Sequence, residues 1–196
     1  MNKGINLTDE RINANYAVWL KKLEGVIPKD CIDKLTTQYG DAIKESSYGM
    51  TASSGTAFKG ALIYVTMYNI CVKAIKINCE LNNQLPIESI VKVCLLQHIS
   101  KAVMYEEETN DYKIKNGNYY KFAPTSLFNK TGSKSLKMCV DCGITFTDEE
   151  WEAMTCLDVQ EDDSYRLSML SIVIRSATQL VNKMFSQQQQ KEKKEG

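Results

Sequence analysis

Histidine is almost missing from this sequence: His98 is the only one among 196 residues. A catalytic or metal centre built on several imidazoles is therefore out of reach. Charge of one sign is missing too, because 24 basic and 24 acidic side chains cancel. Duplex nucleic acid would look for a broad positive face, so it has no electrostatic support here. No apolar run is long enough to cross a bilayer, and the polar opening Met1-Asn2-Lys3-Gly4-Ile5-Asn6 lacks the apolar centre of a signal peptide. The seven cysteines are an odd number. Several sit in apolar helical patterns, where a thiol is a small hydrophobe, which points to a reducing, intracellular site of synthesis.

What is present suits one soluble globular domain. Hydrophobic residues make up 43% and charged residues 24%, and a chain of this length can bury roughly 70% of its unfolded surface. The pattern is mostly helical. Thr8 can cap a first helix with Ile12, Tyr16, Trp19, Leu20 and Leu23 on one face. Pro28 suits the first turn of a second helix, with Ile32, Leu35 and Tyr39 inward and Gly40 at its end. Residues 46–57 are small and flexible and read as a loop. Long helices are expected from about Phe58 to Leu81 and from Pro86 to about Lys101, both apolar on more than one face and hence central. Asn116-Gly117 between tyrosine-rich runs predicts a tight hairpin turn. Thr147 and Glu150 form a capping box. A last helix is expected over about Ser164–Phe185, with Leu167, Leu170, Ile174, Ala177 and Val181 on one stripe. The polar tail 187–196 reads as disordered.

Four short motifs have a functional reading and a plainer one. Cys139-Val140-Asp141-Cys142 lacks the second pair that a zinc knuckle needs and reads as two incidental thiols. Thr131-Gly132-Ser133-Lys134-Ser135 lacks the glycine-lysine junction of a P-loop and reads as a helix start with a serine cap, whose free N–H groups leave weak phosphate binding open. Glu106-Glu107-Glu108 with Asp111 reads as a solvated loop. His98 reads as a helix-end imidazole making a hydrogen bond, and the remaining option is a lone ligand or proton shuttle.

Order and spacing carry a family resemblance. Leu95-Leu96-Gln97-His98-Ile99-Ser100-Lys101, the hairpin at Asn116-Gly117, Thr131–Ser135 and Phe146-Thr147-Asp148-Glu149-Glu150 follow one another as do the motifs of HD-domain metal phosphohydrolases. The stretch from about 45 to 185 resembles the small stand-alone HD proteins of phages and gut bacteria. Their His-Asp pair stands in Leu-Leu-His-Asp-x-x-Lys, where this chain has Gln97 and His98. Thr131 stands at the histidine of their Gly-His-Gly loop. Their other ligand positions fall near Val65 or Thr66, near Leu157 and near Ser176.

The resemblance implies a mainly α, HD-like helical bundle with a small β-hairpin insertion. Residues 1–186 would form one domain, with N-terminal helices in 1–44, an HD-like core in 45–185 and a tail beyond. Thr, Val, Leu and Ser cannot replace imidazoles and carboxylates on the metal that activates water. The implied protein has no catalytic residue, metal or cofactor and works through protein subunits, as a homo-oligomer or in a larger assembly. Its most concrete form is a phage virion or assembly component, made in the cytoplasm and built into the particle. The expected interaction surface is the hairpin, with Tyr105, Tyr112, Tyr119, Tyr120 and Phe122. Two alternatives stand beside it: a nucleotide-binding pseudoenzyme using Lys101, Lys134 and the hairpin tyrosines, and a residual phosphohydrolase pairing His98 with Asp141 or Asp158.

Overall fold

The structure, a computed structural model, describes residues 7–124, 130–158 and 167–195. The polar opening 1–6 and the start of the last helix expected at Ser164 lie outside the described residues. The chain is mainly helical with one small antiparallel sheet. No helix among the described residues is long and apolar enough to cross a membrane. Buried side chains from Trp19 near one end to Phe185 near the other belong to a single hydrophobic cluster.

Helix α1 (Asp9–Glu24) starts as the sequence predicts: Thr8 Oγ1 accepts from the Arg11 amide at 3.3 Å. Its inward stripe includes Ile12, Trp19 and Leu23, and the Trp19 indole donates to the Leu95 carbonyl at 3.4 Å. Helix α2 (Lys29–Glu45) begins just after Pro28 but does not end at Gly40. Gly40 lies mid-helix because α1 passes close to it: a Cβ there would meet Tyr16 Oη at 2.7 Å. The glycine permits helix contact; it does not end the helix.

The predicted helix over 58–81 is a rod in three parts, α3 (Ala61–Val65), a π-helical turn (Thr66–Cys71) and α4 (Val72–Glu80). Asn78 ties its end to the next helix, exchanging two hydrogen bonds with the Leu85 backbone. Helix α5 (Ile87–Leu96) stops five residues short of Lys101. The ladder breaks because the Ser100 amide donates sideways to Ser135 Oγ at 3.0 Å, after which α6 (Lys101–Met104) starts afresh.

The hairpin differs from expectation. Strand β1 (Tyr105–Glu107) pairs with β2 (Tyr120–Phe122), Glu106 opposite Lys121, and between them lies a short helix, α7 (Asp111–Lys115). Asn116-Gly117 closes that helix. Gly117 has φ +81°, but Asn116 has φ −87°, so the two-residue turn requiring positive φ at both does not form. Asn110 caps α7 by accepting from the Lys113 amide, a local signal that competes with the strand pattern. The acidic run is not simply solvated: Glu108 is buried, accepts from the Thr109 and Asn110 amides and pairs with Lys113.

Helix α8 (Thr131–Asp141) and helix α9 (Asp148–Thr155) follow, and the capping box forms as predicted, with both Thr147–Glu150 hydrogen bonds present. Helix α10 (Met169–Glu195) passes straight through the expected tail. Gln and Lys are good helix formers, and the extra turns have something to pack on. Gly55, at φ +69°, brings the 46–57 loop against Phe185 and the buried Gln189. That loop is therefore ordered: it holds a 3-10 turn (Ala52–Ser54) and a bridge from Thr51 to Asn118.

Candidate functional site

The end of α5 carries the polar residues that the sequence singles out, and the fold buries them. Gln97 is fully buried and His98 is 6% exposed. Among the described residues, both Gln97 side-chain polar atoms and His98 Nδ1 lack a hydrogen-bond partner, as do the Asn15 amide and Thr178 Oγ1. His98 Nε2 meets Tyr48 Oη at 3.3 Å, and the two rings pack edge to face with centroids 5.0 Å apart. The imidazole thus makes the single hydrogen bond predicted for it. Its partner comes from the loop that the sequence marks as flexible.

Lys101 is the second unusual member. It is 8% exposed, donates to the Tyr48 carbonyl at 2.6 Å, and holds Nζ 3.5 Å from the Tyr48 ring centroid and 5.7 Å from that of Tyr105. Burial pulls its amine from the usual lysine range to about 7. Burial, with Lys101 close by, holds the His98 imidazole well below its ordinary value, so it is neutral at physiological pH. Burial, reinforced by Tyr105, pushes the Tyr48 phenol well up. The cluster is an uncharged imidazole, a phenol and a partly charged amine, all out of water. Cations are repelled rather than gathered there.

Thr131 lies away from this cluster's hydrogen bonds, at the head of α8. Its carbonyl accepts from Ser100 Oγ at 2.8 Å. The serine cap expected there is absent. Asp158 closes the helix end from outside: its carboxylate accepts from the Gly132 and Ser133 amides at 3.1 and 2.6 Å and from Ser133 Oγ at 2.9 Å. A helix N-terminus attracts anions, and here a side chain of the same protein is the anion. Phosphate would have to displace it. Lys134 is half-buried on that same helix. Asp141 is bound up with Lys137 on the surface of α8.

Lys101 is taken up by the Tyr48 carbonyl and ring, and Lys134 lies on α8. The open cleft beside the hairpin is lined by Glu45, Glu106 and Glu107 with Tyr105, Tyr120 and Lys59, and Lys59 already pairs with Asp9 and Glu45. Its acidic rim disfavours a nucleotide's phosphates. No group of three or more His, Cys, Asp or Glu side chains placed to hold a metal occurs among the described residues. Cys139 and Cys142 are buried free thiols.

The hairpin aromatics divide. Tyr105 stacks edge to face on Phe122 at 5.5 Å and leans over Lys101. Tyr119 and Tyr120 are both half-buried, since their amides converge on the Met50 carbonyl at 3.0 Å each and break strict alternation. Tyr112 is 77% exposed and Phe122 44%.

The chain matches no family model, no curated protein and no solved structure.

Two roles escaped the sequence reading. Tyr48 is the only aromatic in a Ser/Gly/Thr-rich stretch, a signal that the stretch is anchored. Asp158, close behind a short helix, had no local signal for its role 25 residues back at Ser133.

Proposed function

We propose that this protein is a non-catalytic, HD-like structural subunit that acts through protein–protein contacts. One observation carries the reading. The lone imidazole, at the place where the resemblance puts half of a metal-binding pair, is buried under Tyr48 beside the Lys101 amine. A hydrolytic metal site needs convergent anionic or imidazole donors with access for water. This arrangement offers one neutral donor beside a partly charged amine, both buried. Of the two carboxylates that the residual-phosphohydrolase alternative names, Asp158 is spent on the α8 amides and Asp141 pairs with Lys137.

The resemblance to phage-borne HD proteins supports a virion or assembly component as the concrete form of this role. The test is the composition of the native particle or complex containing the chain. Mass spectrometry is expected to find the chain in stoichiometric amount with other subunits. Elemental analysis is expected to find no Fe, Mn or Zn near one per chain. A near-stoichiometric transition metal, with phosphohydrolase activity lost in His98→Ala, would overturn the reading.

A further inference from the structure

Helix α10 is 27 residues long, about 40 Å, and among the described residues its buried side chains lie along one side. Leu170, Ile174, Ala177, Val181 and Phe185 are buried. On the other side Met169, Ile172, Leu180 and Met184 are 43–46% exposed. Single exposed apolar residues are ordinary, but a row on one helix face is not. Ile172, Ser176, Leu180 and Met184 follow at four-residue steps, and Met169 stands three residues before Ile172. Ser176 is thus a small residue at the centre, with a branched aliphatic one turn to either side and a methionine two turns to either side.

A row with that symmetry is complementary to itself turned end for end. When two copies cross antiparallel about a two-fold axis at Ser176, Ile172 of each meets Leu180 of the other and Met169 meets Met184. The four-residue row is the ridge that helices interlock at crossings near −50°, and the small central residue allows close approach. Charge agrees with this direction. From Met169 to Lys191 the helix carries no carboxylate, and its exposed cations include Lys183 and Lys191, toward one end. Beside its other end lies the acidic flank of α9, where Glu152 accepts from the Ser168 amide at 2.8 Å and the exposed Glu149 lies one turn earlier. The antiparallel crossing carries each Lys183 to the partner's Glu149–Glu152 flank; a parallel one would set lysine against lysine.

We propose that α10 is a self-association surface on which a second copy of this chain docks antiparallel, with Ser176 on the two-fold axis. The inference rests on reading the protein as one that works by protein contacts and names one of those contacts. A single helix face is smaller than the ~800 Å² per partner of a standard interface, so the dimer belongs to the micromolar range.

Sedimentation of the full chain across a micromolar concentration series is expected to show monomer passing to dimer. Leu180→Glu should weaken that by about tenfold or more with an unchanged melting temperature. Lys183→Glu should weaken it, and Glu149→Lys added to Lys183→Glu should restore it. In a Cys79→Ser background, which removes the exposed native thiol, Ser176→Cys under mild oxidation should cross-link to a dimer. A chain that stays monomeric throughout, or a dimer indifferent to Leu180→Glu, overturns the proposal. If the monomer is nonetheless stoichiometric in a complex with other proteins, only the self-pairing fails. A stoichiometric metal with hydrolytic activity removes the parent reading instead.

Discussion

Two groups of polar side chains meet around the same central helix, α5, and are satisfied to opposite degrees. Toward the start of α5, Ser89 and Lys92 both reach Glu150, at 2.8 and 2.6 Å, while Glu150 also accepts from the Thr147 amide at 3.0 Å. Both carboxylate oxygens are used. At the end of α5, neither polar atom of the Gln97 side chain nor His98 Nδ1 has a partner among the described residues. A satisfied network fixes one packing of α9 on α5. An unsatisfied one costs free energy, because each orphaned polar group keeps its desolvation penalty without a bond in return. The contrast separates side chains that the fold needs from side chains that it tolerates.

The largest expected effect is at the satisfied end. Burial alone would raise the Glu150 carboxyl, but Lys92, the Thr147 amide and Ser89 more than offset it and hold it below the usual range. Glu150→Ala removes the return arm of the capping box and strands the Lys92 ammonium, 12% exposed, beside a cavity. Breaking a buried pair from one side costs about 3–5 kcal/mol, and chemical denaturation should show a loss near the lower end. A loss below about 1 kcal/mol would mean that the Glu150 network is as dispensable as the Gln97 side chain.

His98→Ala comes next, at about 2–3 kcal/mol, because it removes both a hydrogen bond and a packed ring. The imidazole also sets the acid side of stability. Its folded pKa lies well below the unfolded value of about 6.5. As pH falls through about 6.5 the unfolded chain takes up a proton that the folded chain refuses, so stability drops. Melting temperatures of wild type against His98→Phe at pH 5 and 7 check this: the difference between the two pH values should shrink in the variant.

Lys101 adds a slope of the same sign at higher pH. Its amine titrates near 7 in the fold and near 10.5 when unfolded, so between those values the unfolded chain holds the extra proton. Stability gains on the order of 1 kcal/mol per pH unit as pH rises through this window. Lys101→Met should flatten the curve between pH 7 and 8, before the buried thiols and phenols begin to pull the other way. An unchanged slope would mean that the ammonium persists in the fold, held by the Tyr48 ring and carbonyl.

The capping box of the satisfied network was legible in sequence; its Ser89 and Lys92 contacts, distant in the chain, were not, and the Gln97 cluster was much less so. Thr147 and Glu150 stand three apart before an apolar helix, and that local spacing was enough to predict the box. The helical pattern, the central place of the 58–81 and 86–101 segments and the end-of-helix role of His98 were likewise readable from periodicity. Most of what failed depended on contacts distant in sequence; the hairpin turn instead lost to a local competitor, the Asn110 cap. Gly40 looks like a helix end until Tyr16 is seen against it. Asn116-Gly117 looks like a hairpin turn until Asn110 caps a helix in front of it. The tail looks solvated until Gly55 gives Gln189 a surface. Tyr48 joins His98 across 50 residues and Asp158 joins Ser133 across 25. No local pattern carries that information.

The smallest effect is the most discriminating, because its sign is opposite. Gln97→Met keeps the length and nearly the volume of the side chain, removes two unpartnered polar atoms and leaves the Gln97 amide bond to the Val93 carbonyl in place. A substitution that conserves volume in a packed core is tolerated well, and relieving an unsatisfied buried polar group gains about 1 kcal/mol or more. Equilibrium denaturation should therefore show stabilisation of roughly that size, with an unchanged denaturant slope. The same exchange at Glu150, from carboxylate to methionine, should destabilise. Loss of stability in Gln97→Met would mean that the amide has partners after all, such as a buried water, and the two ends of α5 would then be alike. Gained stability together with failed incorporation into the native complex would say that Gln97 is retained for binding, at the expense of the fold.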